Sequence, residues 1–307
     1  MQNLMRFFQR IATYAEIVIC GHIVNWPWRS SAVRRRVRGE VTRRAVCRYL
    51  KYYTPAISAV EQQPQPIECE PECIFTIWLQ GERNAPAIVK ACLRSLRRNC
   101  VQEVVVLDES NLFEWIELPD YVVEKWRSGA MRPAHFADIC RVELLYRYGG
   151  VWLDSTAFVT APVPQWIMDE DFFIYMGGER LHGSYAFVQN CFFRARRGSH
   201  ILRVWREAIL EYWRQETGAI DYFVHQLLFK MSVENNAVAA ELFARMPRRV
   251  QDPTHELWFG HRDEPFDEQL FRTLTADSFF QKTEYKSHSA QHPTAGSFAD
   301  VMINMYL

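Results

Sequence analysis

The chain has 307 residues, 49% of them hydrophobic, with 36 basic and 36 acidic side chains. That length suits one large domain or two small ones and buries on the order of 75% of the unfolded chain's surface, and the apolar content excludes wholesale disorder. Zero net charge nominates no partner in bulk, but the charge is uneven: residues 1–60 carry eleven Arg or Lys against Glu16 and Glu40, nine of them between Arg29 and Lys51.

Residues 1–60 read as a basic helical segment. Leu4, Phe7, Phe8, Ile11 and Tyr14 recur at helical spacing and form an apolar stripe. Arg34, Arg35, Arg36, Arg38, Arg43, Arg44, Arg48 and Lys51 then interleave with Val33, Val37, Val41, Val46 and Tyr49. Two readings stay open: a helical subdomain with a solvated basic face, or docking on an anionic membrane surface. No nucleic-acid module is recognisable, so nucleic acid is not an expected partner. The apolar stretch 11–28 is broken by Glu16, His22 and Asn25, short of the ~20 continuous apolar residues of a span. No small-residue cleavage site follows it, so no signal peptide is expected. Residues 61–72, with Pro64, Pro66 and Pro71, read as a linker to a domain over 73–307.

Within that domain, residues 73–79 predict a buried strand and 86–99 a helix with Pro86 in its first turn. Val104, Val105, Val106 and Leu107 predict a second strand, so the order strand–helix–strand implies a parallel pair. Further on, 171–176 and 185–194 read as strands, 199–214 as a helix capped by Ser199, and 221–232 as another helix. Residues 281–307 read as a polar loop. The eight cysteines show no Cys-x-x-Cys pair; Cys140 and Cys191 read as small buried hydrophobes, and reduced thiols in the cytosol are expected.

The most informative stretch is 134–154, Ala-His-Phe-Ala-Asp-Ile-Cys-Arg-Val-Glu-Leu-Leu-Tyr-Arg-Tyr-Gly-Gly-Val-Trp-Leu-Asp. Asp138 and Arg141 sit three apart, on one helix face. Gly149 and Gly150 end the helix, because a residue without Cβ takes the left-handed conformation. Val151, Trp152 and Leu153 then deliver Asp154 to the carboxyl end of a strand, the edge where open α/β sheets bind ligands. Two acids and a base converging there suit a metal-bridged diphosphate. His135 reads as a surface or capping histidine.

This pattern resembles the family-32 sugar transferases, and within them the bacterial capsular polysaccharide synthesis branch. The resemblance implies a GT-A type α/β fold, a Rossmann-like mixed nucleotide-sugar-binding sheet flanked by helices. It implies a glycosyltransferase that moves a sugar, with retention, from a nucleotide-diphosphate donor to a surface polysaccharide or lipid-linked oligosaccharide. The enzyme would work in the cytoplasm, at the inner face of the membrane. Asp138, Arg141 and Asp154 are then the expected catalytic residues, and Trp78, Trp152, Thr156 and Asn190 the donor contacts. The expected cofactor is Mn²⁺ or Mg²⁺ on Asp154, with His288 and His292 as further candidate ligands. The sequence departs from the Asp-x-Asp pattern of many relatives, reading Asp154-Ser155-Thr156. That departure keeps two alternatives open: an effector-type transferase acting on a protein, and a non-catalytic sugar-binding or scaffold protein.

Overall fold

The computed structural model describes residues 2–24, 31–61, 73–179 and 183–306, with the side chains of 2, 3, 20–24, 31–36, 183 and 184 left aside. The predicted linker, Glu61 apart, lies outside the described residues, as does Cys69; Cys20 and Arg34 to Arg36 are described in backbone only.

α1 (Gln2–Val24) and α2 (Ser31–Leu50) pack on each other and lead through a 3₁₀ turn, Lys51–Tyr53, into α3 (Thr54–Ser58). The strands are β1 (Ile74–Ile77), β2 (Val104–Leu107), β3 (Gly150–Leu153), β4 (Ala157–Val159), β5 (Phe172–Met176), β6 (Val188–Ala195) and β7 (Phe280–Lys282). Among and after them run α4 (Ala87–Asn99), α5 (Leu112–Trp115), α6 (Asp120–Arg127), α7 (Pro133–Tyr148), α8 (Gln165–Met168), α9 (Gly183–Ala186), α10 (His200–Gln215) and α11 (Val224–Asn235). The chain closes with α12 (Ala237–Arg245), α13 (Glu256–His261), α14 (Glu268–Ala276), α15 (His288–Gln291) and α16 (Phe298–Asn304).

A five-stranded sheet runs in the order β2-β1-β3-β6-β5, with β2, β1 and β3 parallel and β6 antiparallel to both its neighbours. This is the mixed, helix-flanked α/β sheet expected of the fold class. Every residue of β1 and β3 is buried, because helices cover both faces of the sheet. α7 starts with Pro133 in its first turn and stops at Gly149 (φ 72°). Gly150 (φ 93°) opens β3, and a Cβ there would lie 2.3 Å from the Cys73 carbonyl oxygen. The glycine pair therefore lets a helix end and a strand lie flush against β1 within two residues.

The end of α2 and the turns after it, residues 46–57, contribute side chains to the main core. Val46, Tyr49, Leu50, Tyr53 and Ile57 are buried in the same cluster as the sheet. Glu216, just after α10, accepts hydrogen bonds from the Tyr49 and Tyr53 hydroxyls at 2.5 and 2.7 Å and pairs with Arg10 of α1.

The C-terminal stretch corrects the expected loop. β7 pairs antiparallel with β4, and Phe298 and Met302 of α16 are fully buried beside Ile88, Val89 and Leu93 of α4. A three-residue strand and a seven-residue helix are too short for their periodicity to be read, and β7 finds its partner far away in sequence. Two boundaries also differ. Tyr185 and Ala186 form a helical turn before β6 starts at Val188, and Ser199 precedes α10 without a side-chain cap bond.

Candidate active site

β1 and β3 run parallel, so the residues after them, Trp78 and Asp154, arrive at the same sheet edge. They line a cleft of about 640 Å³ together with Asp138, Arg141, Asn190 and Lys282. The buried Arg141 guanidinium is the hinge of the arrangement. Its Nη2 lies 3.3 Å from Asp138 Oδ1 and 3.3 Å from Asp154 Oδ1, and its Nη1 donates to the Asn190 carbonyl at 2.5 Å. The guanidinium also sits 4.8 Å over the Trp152 ring, whose indole N–H donates to Asp154 Oδ1 at 2.9 Å. Trp152 is thus both a core residue and a support for Asp154.

Asp138 is clamped from below. Asn190 Nδ2 donates to its Oδ1 at 2.7 Å, and His225 Nδ1 faces its Oδ2 at 3.2 Å. Burial opposes ionisation of Asp138, yet Arg141 and His225 outweigh it and hold the carboxyl far below the usual carboxylate range. His135 corrects the expectation of a surface histidine: it is 2% exposed, with Nδ1 3.9 Å from Asp138 Oδ2.

Among the described residues, His135, Asp138 and His225 form the one group of His, Cys and acidic side chains spaced to hold a metal. Its hydrogen bonds argue for a clamp instead. The Trp213 indole N–H can only donate, and it reaches His225 Nε2 at 2.8 Å, so that nitrogen carries a lone pair. The neutral ring then bears its proton on Nδ1, the atom facing Asp138, which leaves no lone pair there for a cation. Burial, stronger than the pull of Asp138, lowers the His225 pKa and keeps the ring neutral.

A divalent ion on Asp154 meets a poor donor set. Arg141 and Trp152 face Oδ1, and Lys282 Nζ lies 3.1 Å from Oδ2. Lys282 also donates to the Thr156 hydroxyl, the group standing where an Asp-x-Asp pattern would place its second acid. The residues present therefore do not fit the expected Mn²⁺ or Mg²⁺ as they stand; an ion would have to displace the ammonium.

The other expected contacts divide. Trp78 lines the cleft with its ring edge-on to Tyr285, centroids 5.0 Å apart. Thr156 and Asn190 line it as well. His288 and His292 lie on α15 with their rings 5.0 Å apart, outside the cleft lining, and the structure does not bring them to Asp154. Sequence reasoning missed Lys282 and His225. Lys282 carries no local signal, because its partner is set by the β4–β7 register, Ala157 opposite Lys282. His225 and Gln226 stand out faintly as polar residues among Val224, Leu227, Leu228 and Phe229.

Fold and cleft together define a Rossmann-like α/β protein with a polar ligand site at the carboxyl edge of its parallel strands. The chain belongs to the capsular polysaccharide synthesis protein family, whose description matches residues 29–301. It is 29% identical over 181 residues to the glycosyltransferase afumC of Aspergillus fumigatus, covering 52% of this chain and 45% of that protein. It is 25% identical over 191 residues to the O-glycosyltransferase PaGT of Phomopsis amygdali, covering 56% and 46%. The chain thus spans about half the length of the curated relatives it matches. The solved PaToxG glycosyltransferase overlays with a TM-score of 0.41 at 11% identity, over 88% of this chain and 94% of that one, a level at which no detail transfers.

Proposed function

We propose that the protein is a retaining glycosyltransferase, moving a sugar from a nucleotide-diphosphate donor to a surface polysaccharide or lipid-linked oligosaccharide. The observation that carries this reading is the Asp138–Arg141–Asp154 chain at the carboxyl ends of β1 and β3, in a member of this family. Trp78 and Tyr285 flank the nucleoside base. Arg141 faces the link between sugar and phosphate, where a guanidinium suits phosphate oxygens. Asp138, fixed by Asn190 and His225, presents its remaining acceptor capacity to sugar hydroxyls. In a same-face displacement the acceptor oxygen bonds to the anomeric carbon as the bond to the diphosphate breaks. The electron pair leaves with the diphosphate, and a diphosphate oxygen takes the acceptor's proton.

A membrane-side acceptor is supported by how α1 is docked. Arg6, Arg10 and Thr13 face the protein, Arg6 bonding Gln215 and Arg10 reaching Glu216 and the Gly218 carbonyl. Leu4, Met5, Phe7, Phe8, Ile11, Val18 and Ile19 are each at least 49% exposed. An amphipathic helix with its polar face inward and its apolar face outward suits the interface of a bilayer, and the basic α2 beside it suits anionic lipid. No described helix is long and apolar enough to cross a membrane. All six cysteines described with side chains are free, in keeping with the cytoplasmic, inner-leaflet site proposed.

Incubation with a panel of nucleotide sugars, read as nucleotide release, tests the activity. Release with at least one donor is expected, and Asp154→Asn should abolish it with the fold retained. Binding without release would favour a sugar-binding protein, and labelling of protein acceptors in place of glycan would favour the effector alternative.

A further inference from the structure

We propose that Lys282, in place of a divalent ion, is the cation that meets the donor's diphosphate; this rests on the donor site proposed for the same cleft. Lys282 touches both positions that would flank such an ion: Asp154 Oδ2 at 3.1 Å and the Thr156 hydroxyl. The charges agree. Two acids with a divalent ion sum to zero, and so do Asp154, Thr156 and Lys282. A site with one acid is thus neutral with one ammonium in it.

The position of Lys282 is built in by the backbone. Ala157 stands opposite Lys282 in the β4–β7 ladder, and both the backbone N–H and the hydroxyl of Thr283 donate to the Thr156 carbonyl, at 2.7 and 2.8 Å. The ammonium is thus fixed relative to the Asp154–Thr156 turn before any ligand arrives, which is what stabilisation of developing charge requires. Burial favours loss of its proton, but Asp154 more than offsets this and raises the Lys282 pKa, so the group stays a cation. Arg141, 3.3 Å from the other oxygen of Asp154, supplies a second positive group. As the bond from the anomeric carbon to the diphosphate breaks, the added negative charge falls between Lys282 and Arg141, while the acceptor's proton passes to a diphosphate oxygen.

The test uses the full chain. UDP, GDP and ADP are titrated calorimetrically with excess EDTA and with excess Mn²⁺, alongside uridine, guanosine and adenosine, and turnover of the matching nucleotide sugars is measured in both conditions. Binding and turnover should persist in EDTA. Lys282→Ala should weaken the diphosphate by about tenfold or more, the scale of one charge-assisted hydrogen bond. The nucleoside affinity should be unmoved, Lys282→Arg should restore much of the loss, and Mn²⁺ should now help Lys282→Ala. A purely structural lysine would lower diphosphate and nucleoside binding together. Should Lys282→Ala fail to fold, the wild-type comparison and Lys282→Arg still decide. Binding or turnover that needs Mn²⁺ in the wild-type protein overturns the role of Lys282 and leaves the glycosyltransferase reading standing. Absence of nucleotide binding in both conditions overturns both.

Discussion

Asp154 balances the two cations that face it, so its removal has a structural and a chemical effect. Asp154→Ala leaves Lys282 and Arg141 facing each other across the vacated carboxylate, whereas Asp154→Asn keeps an acceptor for the Trp152 indole. The carboxylate is 21% exposed, so the expected loss for Asp154→Ala is about 2 kcal/mol, below the ~3–5 kcal/mol of a fully buried pair. Asp154→Asn should cost less; urea melts of the two variants check the difference. A second residue gives the fold its pH dependence. His255 is buried on the cleft wall beside Thr254 and Gln189, with Lys282, Asp252 and Asp154 as its charged neighbours. Burial, helped by Lys282, lowers its pKa from 6.5 to about 4. The unfolded chain therefore takes up a proton first as pH falls. Stability is fully present above pH 6.5 and is lost toward pH 4, by about 3 kcal/mol. His225 acts in the same direction. Urea melts between pH 7 and 4.5 should show the slope, and His255→Asn should flatten it; an unchanged slope would assign the effect elsewhere.

At the level of elements, legibility followed length and locality. β2 and α4 could be read because apolar runs and helical spacing declare themselves within a dozen residues. The helix–glycine–strand unit from Pro133 to Leu153 could be read because each step is local, down to the two positive φ angles. β7 could not, since Phe280 to Lys282 form a strand only against β4, more than a hundred residues earlier. The cation of the site was hidden with it. The orientation of α1 was equally illegible: the stripe Leu4, Phe7, Phe8, Ile11 reads the same whether it faces a core or away from it, and the inward contacts of Arg10 with the burial of Thr13 turn it outward. The membrane reading belongs to this element. Replacing Leu4, Phe7, Phe8 and Ile11 by Ser should cut flotation on anionic vesicles by about a hundredfold or more, using only part of the ~1.5–3 kcal/mol per inserted side chain. Unchanged flotation would sink the docking role of α1.

The whole molecule decides how that experiment must be done. Deleting residues 1–60 looks like the simplest way to ask what the N-terminal helices do, because charge sets them apart so sharply. The core gives another answer. Val46, Tyr49, Leu50, Tyr53 and Ile57 lie in the same cluster as β1, β3 and β6, and each is at most 5% exposed. At about 1.5–3 kcal/mol per buried side chain, their loss matches the ~5–15 kcal/mol by which a domain is stable at all. Deletion would also strip Glu216, 5% exposed, of Tyr49, Tyr53 and Arg10 together. A chain beginning at Cys73 is therefore expected to lose its cooperative urea transition and near-ultraviolet dichroism, whereas the four-Ser variant of α1 keeps both. If the shortened chain melts as sharply as the full one, the helices are an appendage, and Glu216 and the α10 surface they cover must be stable in water.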